Sequence, residues 1–442
     1  MKERSWLKNL DKIFFGLMIV LLAFAVGIAV AEFKKVPYPM VRSAVKSARD
    51  LYNNWPSYFG QEPTKFLQPS RYEGEGVTKH DPQRADQGLT FLTGLFDMQP
   101  SAQIIDREGN VVHRWVPDFE QIWHNSGVDF SDRSQPFNAW DVAIHGALAL
   151  PDGSLLINYN RTLVRLDKCS RPEWITRHRT HHSVFRSEDG TFWFPLMEFT
   201  RDRDKLPKKI KPPYIKEYAL QLSETGEVLQ QFDLDQILID NDLEAVLLTT
   251  GTEQVSNSVA DFTHLNDIEV LQSEDADAFP LFEAGDIMVS YRNHNLIFIF
   301  EPETKTVKWY QFGPWLRQHD PDFLPDGTIA VFNNRRDHTQ DGAVFGGSSI
   351  MIHDPVTRET SLLYEQTPET PFFTDVMGKH ERTPNGNLLV VETKAGRIFE
   401  ITDQGEIVWE FINRFDADRI AQMAEATRLP NDYFTVEDWS CN

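Results

Sequence analysis

Cysteine is nearly absent: the 442-residue chain has two, Cys169 and Cys441. Two thiols rule out a CxxC redox motif and a cysteine-rich metal centre. They are compatible with one disulfide in an oxidising compartment, or with two unrelated thiols. Positive charge is also short, with 44 Lys and Arg against 66 Asp and Glu, a formal net charge of -22. That balance lacks the basic footprint of a nucleic-acid binder, so no DNA or RNA partner is expected. It also repels anions at long range, so an anionic substrate needs a locally basic pocket. Common catalytic signatures are missing too: no GxSxG elbow, P-loop, HExxH, or GxGxxG in a βαβ setting occurs. His178, His181 and His182 cluster, but no carboxylate or cysteine stands at a convincing ligand spacing. Neither a metal nor a cofactor is expected.

Ile13–Ala31 is a run of 19 uncharged, mostly apolar residues, about the length that crosses a hydrocarbon core. Lys2, Arg4, Lys8 and Lys12 precede it and Lys34 and Lys35 follow, a weak bias toward a cytoplasmic N-terminus. Ala29-Val30-Ala31 resembles a signal-peptide cleavage site, but the run exceeds a usual signal core, which favours an uncleaved anchor. Either way the body is expected outside the cytoplasm, on the periplasmic face of an inner membrane. Residues 1–35 read as tip and anchor, 36–88 as stalk or linker, and 89–442 as the body. Val41, Val45, Ala48 and Leu51 recur at roughly helical spacing within the stalk.

The body is repetitive. One signature is a tight hairpin inside apolar alternation: LPDGSLLINYN from Leu150, SEDGTFWFPL from Ser187, LPDGTIAVFNN from Leu324 and TPNGNLLVVET from Thr383. Asp-Gly and Asn-Gly between β-rich runs signal hairpins. The other is a strand, an acidic turn and a strand often ending in Trp, as in IIDREGNVVHRW from Ile104 and EITDQGEIVWEF from Glu400. Pairing them gives six units near residues 89–115, 140–175, 179–234, 263–312, 316–365 and 378–413. Blade-length units of about four short strands predict an all-β, six-bladed β-propeller behind an N-terminal transmembrane helix and short helical stalk. A β-sandwich with coincidental turns is the competing fold. Arg414 to Leu429 reads as a short helix, followed by a tail that packs back on the body.

The repeat puts histidines in register. His145, His182 and His319 each lie eight residues before a hairpin glycine, Gly153, Gly190 and Gly327. His264 begins the corresponding strand of its unit, and His380 lies six before Gly386, on the same face if the strand is regular. The inner strand of a blade lines the central channel, so the five are expected to open on one mouth. A lone histidine is usually structural, whereas a ring of them suits acid–base or nucleophilic work. Arg292 and His294, and Arg335 and Arg336, follow hairpins of the same units. They add positive charge, and guanidinium forks fit sulfate, phosphate or carboxylate oxygens.

The segments DFTHLNDIEVL, GDIMVSYRNHNLIFIFEPETKTVKW, QHDPDFLPDGTIAVFNN and KHERTPNGNLLVVET resemble the bacterial arylsulfotransferase family, from about Gly88 onward. The resemblance implies a six-bladed propeller that moves a sulfuryl group from a phenolic sulfate donor to a phenolic acceptor through a histidine. It implies that His264 and His319 flank the group, that Arg336 or Arg335 clamps it, and that His380 is the nucleophile. The chain departs from the family's best-known members, which carry a small β-domain before the propeller. A non-catalytic scaffold of an envelope complex, with a protein partner or a second copy, is the alternative, since fold does not fix function. A quinone-cofactor dehydrogenase is a weaker one.

Overall fold

The computed structural model describes residues 10–34, 36–128, 136–142, 144–159, 161–200, 214–249 and 261–441. It divides into two compact units, Met1–Lys65 and Phe66–Asn442. The first holds helix Leu10–Glu32, whose span Lys12–Glu32 is long and apolar enough to cross a membrane. It also holds helix Tyr38–Tyr58, which has a non-helical residue at Asn54 and contains Pro56. Residues 66–88 of the expected stalk or linker belong to the second unit.

That unit is a six-bladed β-propeller of antiparallel sheets. Five blades run inner to outer in chain order, from inner strands Ile144–Ala149 (blade 2), Phe185–Arg186 (blade 3), Leu265–Val270 (blade 4), His319–Phe323 (blade 5) and Lys379–Arg382 (blade 6). Blade 6 gains a fifth, outer strand, Gly76–His80. Blade 1 contains Leu89–Phe96, Gln99–Ile105 and Val111–Trp115, and takes its inner strand, Met423–Leu429, from the far end of the chain.

This last strand corrects the helix expected over 414–429. Ala, Glu, Arg and Leu favour helix locally, but blade 1 has only three strands of its own. Pairing of Met423–Leu429 with Leu89–Phe96 supplies the fourth and wins over propensity. The tail then folds onto blades 1 and 2 as expected. Tyr433 Oη donates to the Ala149 carbonyl at 2.8 Å, Trp439 stacks on His113 at 4.1 Å, and Cys441 forms a disulfide with Cys169.

The tryptophans of the second signature join neighbouring blades. Trp115, Trp174, Trp309 and Trp409 donate their indole N–H to the carbonyls of Gly153, Glu224, Pro355 and Arg107, at 3.2, 3.1, 3.2 and 2.9 Å. Each acceptor lies in a turn of the next blade. The ring-sealing contact is ionic. Arg428 Nη2 meets Glu400 Oε2 at 2.7 Å, with both side chains wholly buried. Glu400 Oε1 accepts from the Asp86 N–H and Asn387 Nδ2, and the guanidinium lies 4.9 Å from the Trp409 ring centroid.

Breaking such a pair strands a buried charge, a loss of about 3–5 kcal/mol. Arg428→Ala is therefore expected to lower the thermal midpoint steeply, with Arg428→Met/Glu400→Leu recovering most of the loss. Calorimetry on the three proteins checks this; an Arg428→Ala midpoint equal to wild type contradicts it.

Candidate functional site

A regular inner strand sends every second side chain to the channel. Here adjacent pairs line it, one pair per blade: His145-Gly146, His182-Ser183, Asn266-Asp267, His319-Asp320, Gly378-Lys379 and Ala424-Glu425. In blades 1, 2, 4 and 5 the pairing register shifts at these residues, between Met423/Glu425, Ile144/Ala147, Leu265/Asp267 and His319/Pro321. A bulge inserts one extra residue and re-aims its neighbours, so in these four blades both members of the pair face inward. These residues line a cavity of about 30 Å³.

The first members of the pairs carry the histidines. His182 is their hub: its ring centroid lies 4.7 Å from His145, 4.9 Å from His264 and 6.4 Å from His319. His181 joins at 4.9 Å. His145, His182 and His264 are partly exposed, so the cluster opens to solvent. His264 lies two residues before its blade's channel pair, at φ 55, and reaches the cluster from there.

Hydrogen bonds fix the tautomers. His264 Nδ1 lies 2.6 Å from Asp261 Oδ2, and a carboxylate only accepts, so Nδ1 carries the proton. His264 Nε2 is then a lone pair, buried and without a hydrogen-bond partner among the described residues. His319 Nδ1 lies 2.7 Å from Asn334 Oδ1, and its Nε2 accepts from the Met377 N–H at 3.3 Å. His181 Nε2 lies 3.0 Å from Glu217 Oε2 and its Nδ1 lies 2.6 Å from His182 Nδ1. A neutral His181 that donates Nε2–H to Glu217 accepts from His182 Nδ1–H, which leaves His182 Nε2 as a second lone pair.

Burial and mutual repulsion keep the cluster neutral. Burial, then the Arg292 guanidinium, depresses His264 to about 4 and His319 well below the ordinary histidine range. Burial and the neighbouring His181 depress His145 to about 3, and burial with His145 depresses His182 well below the ordinary histidine range. Arg292 is held beside His264 by its backbone, whose N–H donates to the His264 carbonyl at 3.1 Å.

His380 does not join the cluster. The position eight before its hairpin glycine is Gly378, at φ +98, where an added Cβ would lie 2.5 Å from the Phe332 ring. Only glycine fits there. His380 instead sits between two carboxylates of blade 5, with Nδ1 3.0 Å from Asp320 and Nε2 3.5 Å from Asp322. Arg336 faces Asp375 at 3.6 Å, and Arg335 adopts φ 47 beside it. His294 packs on Phe262 at 5.1 Å, its Nε2 3.4 Å from the Thr249 carbonyl. Asp320, Asp322 and His380 lie close enough to share an ion. Asp320, however, already takes the Lys379 ammonium and two N–H groups of His380.

Sequence reasoning passed over Asp261, Glu217 and Asn334. Asp261 had a signal, three residues before His264 in DFTH. Glu217 and Asn334 had none, because each meets its histidine across the fold, 36 and 15 residues away.

A propeller whose channel is ringed by neutral imidazoles with fixed tautomers is a scaffold for nucleophilic or acid–base chemistry on an anion. The family model of the arylsulfotransferases (ASST) matches residues 145–414, and the chain belongs to that family. No curated protein matches the chain. Among solved structures, the chain is similar to a protein of unknown function from Bacteroides caccae, at 11% identity and TM-score 0.46, over 76% of this chain and 99% of that one. It is also similar to virginiamycin B lyase from Staphylococcus aureus, at 13% and 0.36, over 62% and 72%. The Cps50 (Swd1) β-propeller domain of Myceliophteria thermophila matches at 9% and 0.39, over 79% and 90%.

A histidine whose folded pKa lies below its unfolded value of 6.5 binds fewer protons folded than unfolded. For His145 the contribution to stability is full above about pH 6.5 and is lost as pH falls toward about 3. His145→Gln is therefore expected to unfold less readily than wild type by a margin that grows across that window. Denaturant unfolding at a series of pH values measures it, and a pH-independent margin contradicts the assignment.

Proposed function

We propose that this protein is a membrane-anchored, extracytoplasmic arylsulfotransferase that moves a sulfuryl group between phenols through a sulfohistidine. One observation carries the reading beyond family membership: His264 presents a bare Nε2 lone pair beside Arg292, its other nitrogen tied to Asp261. A neutral imidazole is a competent nucleophile, and a covalent intermediate splits one transfer into two easier ones. In this reading the His264 lone pair attacks sulfur and the aryl oxygen leaves with the S–O bonding pair. Asp261 balances the imidazolium that results, while Arg292 receives the sulfuryl oxygens. His319 and His145 wall the site without charge.

The nucleophile role thus moves from His380 to His264. Asp320, held ionised beside His380, repels a sulfate ester, whereas Arg292 beside His264 offsets the Asp261 carboxylate. The clamp role moves likewise from Arg336 or Arg335 to Arg292. The Cys169–Cys441 disulfide and the N-terminal apolar helix both support a location outside the cytoplasm.

The purified chain is expected to move sulfate from p-nitrophenyl sulfate to phenol without a nucleotide donor. Intact-mass measurement after mixing with the donor alone should show one added sulfuryl group. His264→Ala should abolish that adduct and His380→Ala should keep it. Arg292→Met should slow turnover by roughly 10²–10³, as loss of an oxyanion donor does. A folded wild-type sample inert toward every aryl sulfate refutes the activity, and an adduct that survives His264→Ala refutes the nucleophile.

A further inference from the structure

Sulfuryl transfer between phenols also moves a proton. The acceptor phenol must lose one as its oxygen attacks sulfur, and the departing aryl oxide must gain one. Lone imidazoles at this mouth are poor places to keep it, because His145, His264 and His319 crowd His182 and disfavour any added positive charge. A path away from the cluster removes that objection. His182 Nδ1 lies 2.6 Å from His181 Nδ1, and His181 Nε2 lies 3.0 Å from Glu217 Oε2. The side chains of His181 and Glu217 are 5% and 2% exposed, so the chain of bonds runs from a partly open imidazole to a buried carboxylate.

We propose that Glu217, His181 and His182 form a proton relay that stores the acceptor's proton and returns it to the next leaving aryl oxide. The inference rests on the sulfotransferase reading above. In the forward step the phenol O–H proton passes to His182 Nε2. The Nδ1 proton of His182 passes to His181 Nδ1, and the Nε2 proton of His181 passes to Glu217. Both imidazoles end neutral in the opposite tautomer, and Glu217 ends as a carboxylic acid, so no net charge is left at the mouth. When the next donor binds, the three shifts run backward. The His182 Nε2 proton then goes to the aryl oxygen as its bond to sulfur breaks and the N–S bond to His264 forms. Over one cycle the sulfuryl group goes from donor to acceptor and a proton from acceptor to donor. His182 is the catalytic member, because it alone meets substrate. His181 and Glu217 are positioning and storage residues acting through it.

Leaving-group dependence separates this from a structural role. Glu217→Gln keeps an acceptor for His181 Nε2–H but cannot take the proton. Donors whose phenol leaves poorly without a proton, such as phenyl sulfate, should slow about 10²-fold, the low end for general acid–base catalysis. p-Nitrophenyl sulfate, whose oxide leaves unprotonated, should form the enzyme adduct within a few-fold of the wild-type rate. Equal losses on both donors, or no loss on either, overturn the relay. A second measurement needs neither variant nor turnover: nitrogen NMR of the wild-type full chain labelled in histidine. Both rings neutral, with one proton shared between the two Nδ1 atoms, is expected in the empty and the loaded relay alike, and an imidazolium on His181 or His182 at neutral pH overturns the proposal. Should no aryl sulfate react, the sulfotransferase reading fails by itself, and the NMR result still decides whether the relay exists.

Discussion

The ring closes through one strand. Blade 1 is completed by Met423–Leu429, so more than three hundred residues of chain lie between the two halves of one sheet. Every inner strand then takes its angle to the axis from its neighbours, and the channel lining is set by the closure. The Arg428–Glu400 pair seals this strand to blade 6, and the indole N–H bonds repeat the join around the ring. A cluster of side chains from blades 2, 3, 4 and 5 can hold ring contacts under 7 Å only on such a frame.

Charge inside the channel is layered. The first layer is neutral imidazole. Beneath it lie Asp267, Asp320, Lys379 and Glu425. Burial raises Asp267 to about 6 and Glu425 to about 8, while burial opposed by the Lys379 ammonium leaves Asp320 at about 2. At neutral pH this layer holds the Asp320 carboxylate beside the Lys379 ammonium, with Glu425 protonated. The formal charge of -22 is thus spread over the body, while the mouth holds an arginine and imidazoles kept neutral by burial.

Sequence was a good guide to whatever repeats. Asp-Gly and Asn-Gly hairpins mark blades because the turn needs a left-handed residue, as Gly327 at φ +83 shows. The spacing of eight residues from histidine to hairpin glycine placed His145, His182 and His319 correctly, since the distance is measured along one strand and turn. It misled at His380 for the same reason. The blade 6 strand pairs regularly from Lys379 to Arg382, and it is Gly378 and Lys379, not His380, that line the channel. The register position is occupied by Gly378, which packing against Phe332 forbids any side chain. The closing strand was misread because its partner is distant in sequence, so only local helix propensity was visible.

The partners that set the chemistry are the least legible part. Asp261, Glu217 and Asn334 come from a loop before blade 4, the third strand of blade 3 and the end of the second strand of blade 5. No periodicity links them, yet each decides which nitrogen of a channel histidine is bare. A ring of imidazoles without these acceptors would interconvert between tautomers and present Nε2–H and Nε2 lone pairs at random. Asn334 and the Met377 N–H together occupy both nitrogens of His319. Asp261 and Glu217 do the opposite for His264 and His182, each tying down Nδ1, directly or through His181, and freeing Nε2. Among the histidines with such partners, His264 and His182 thereby differ from His319, which has both nitrogens bonded. That division, more than the count of histidines, is what makes the channel mouth chemically directional.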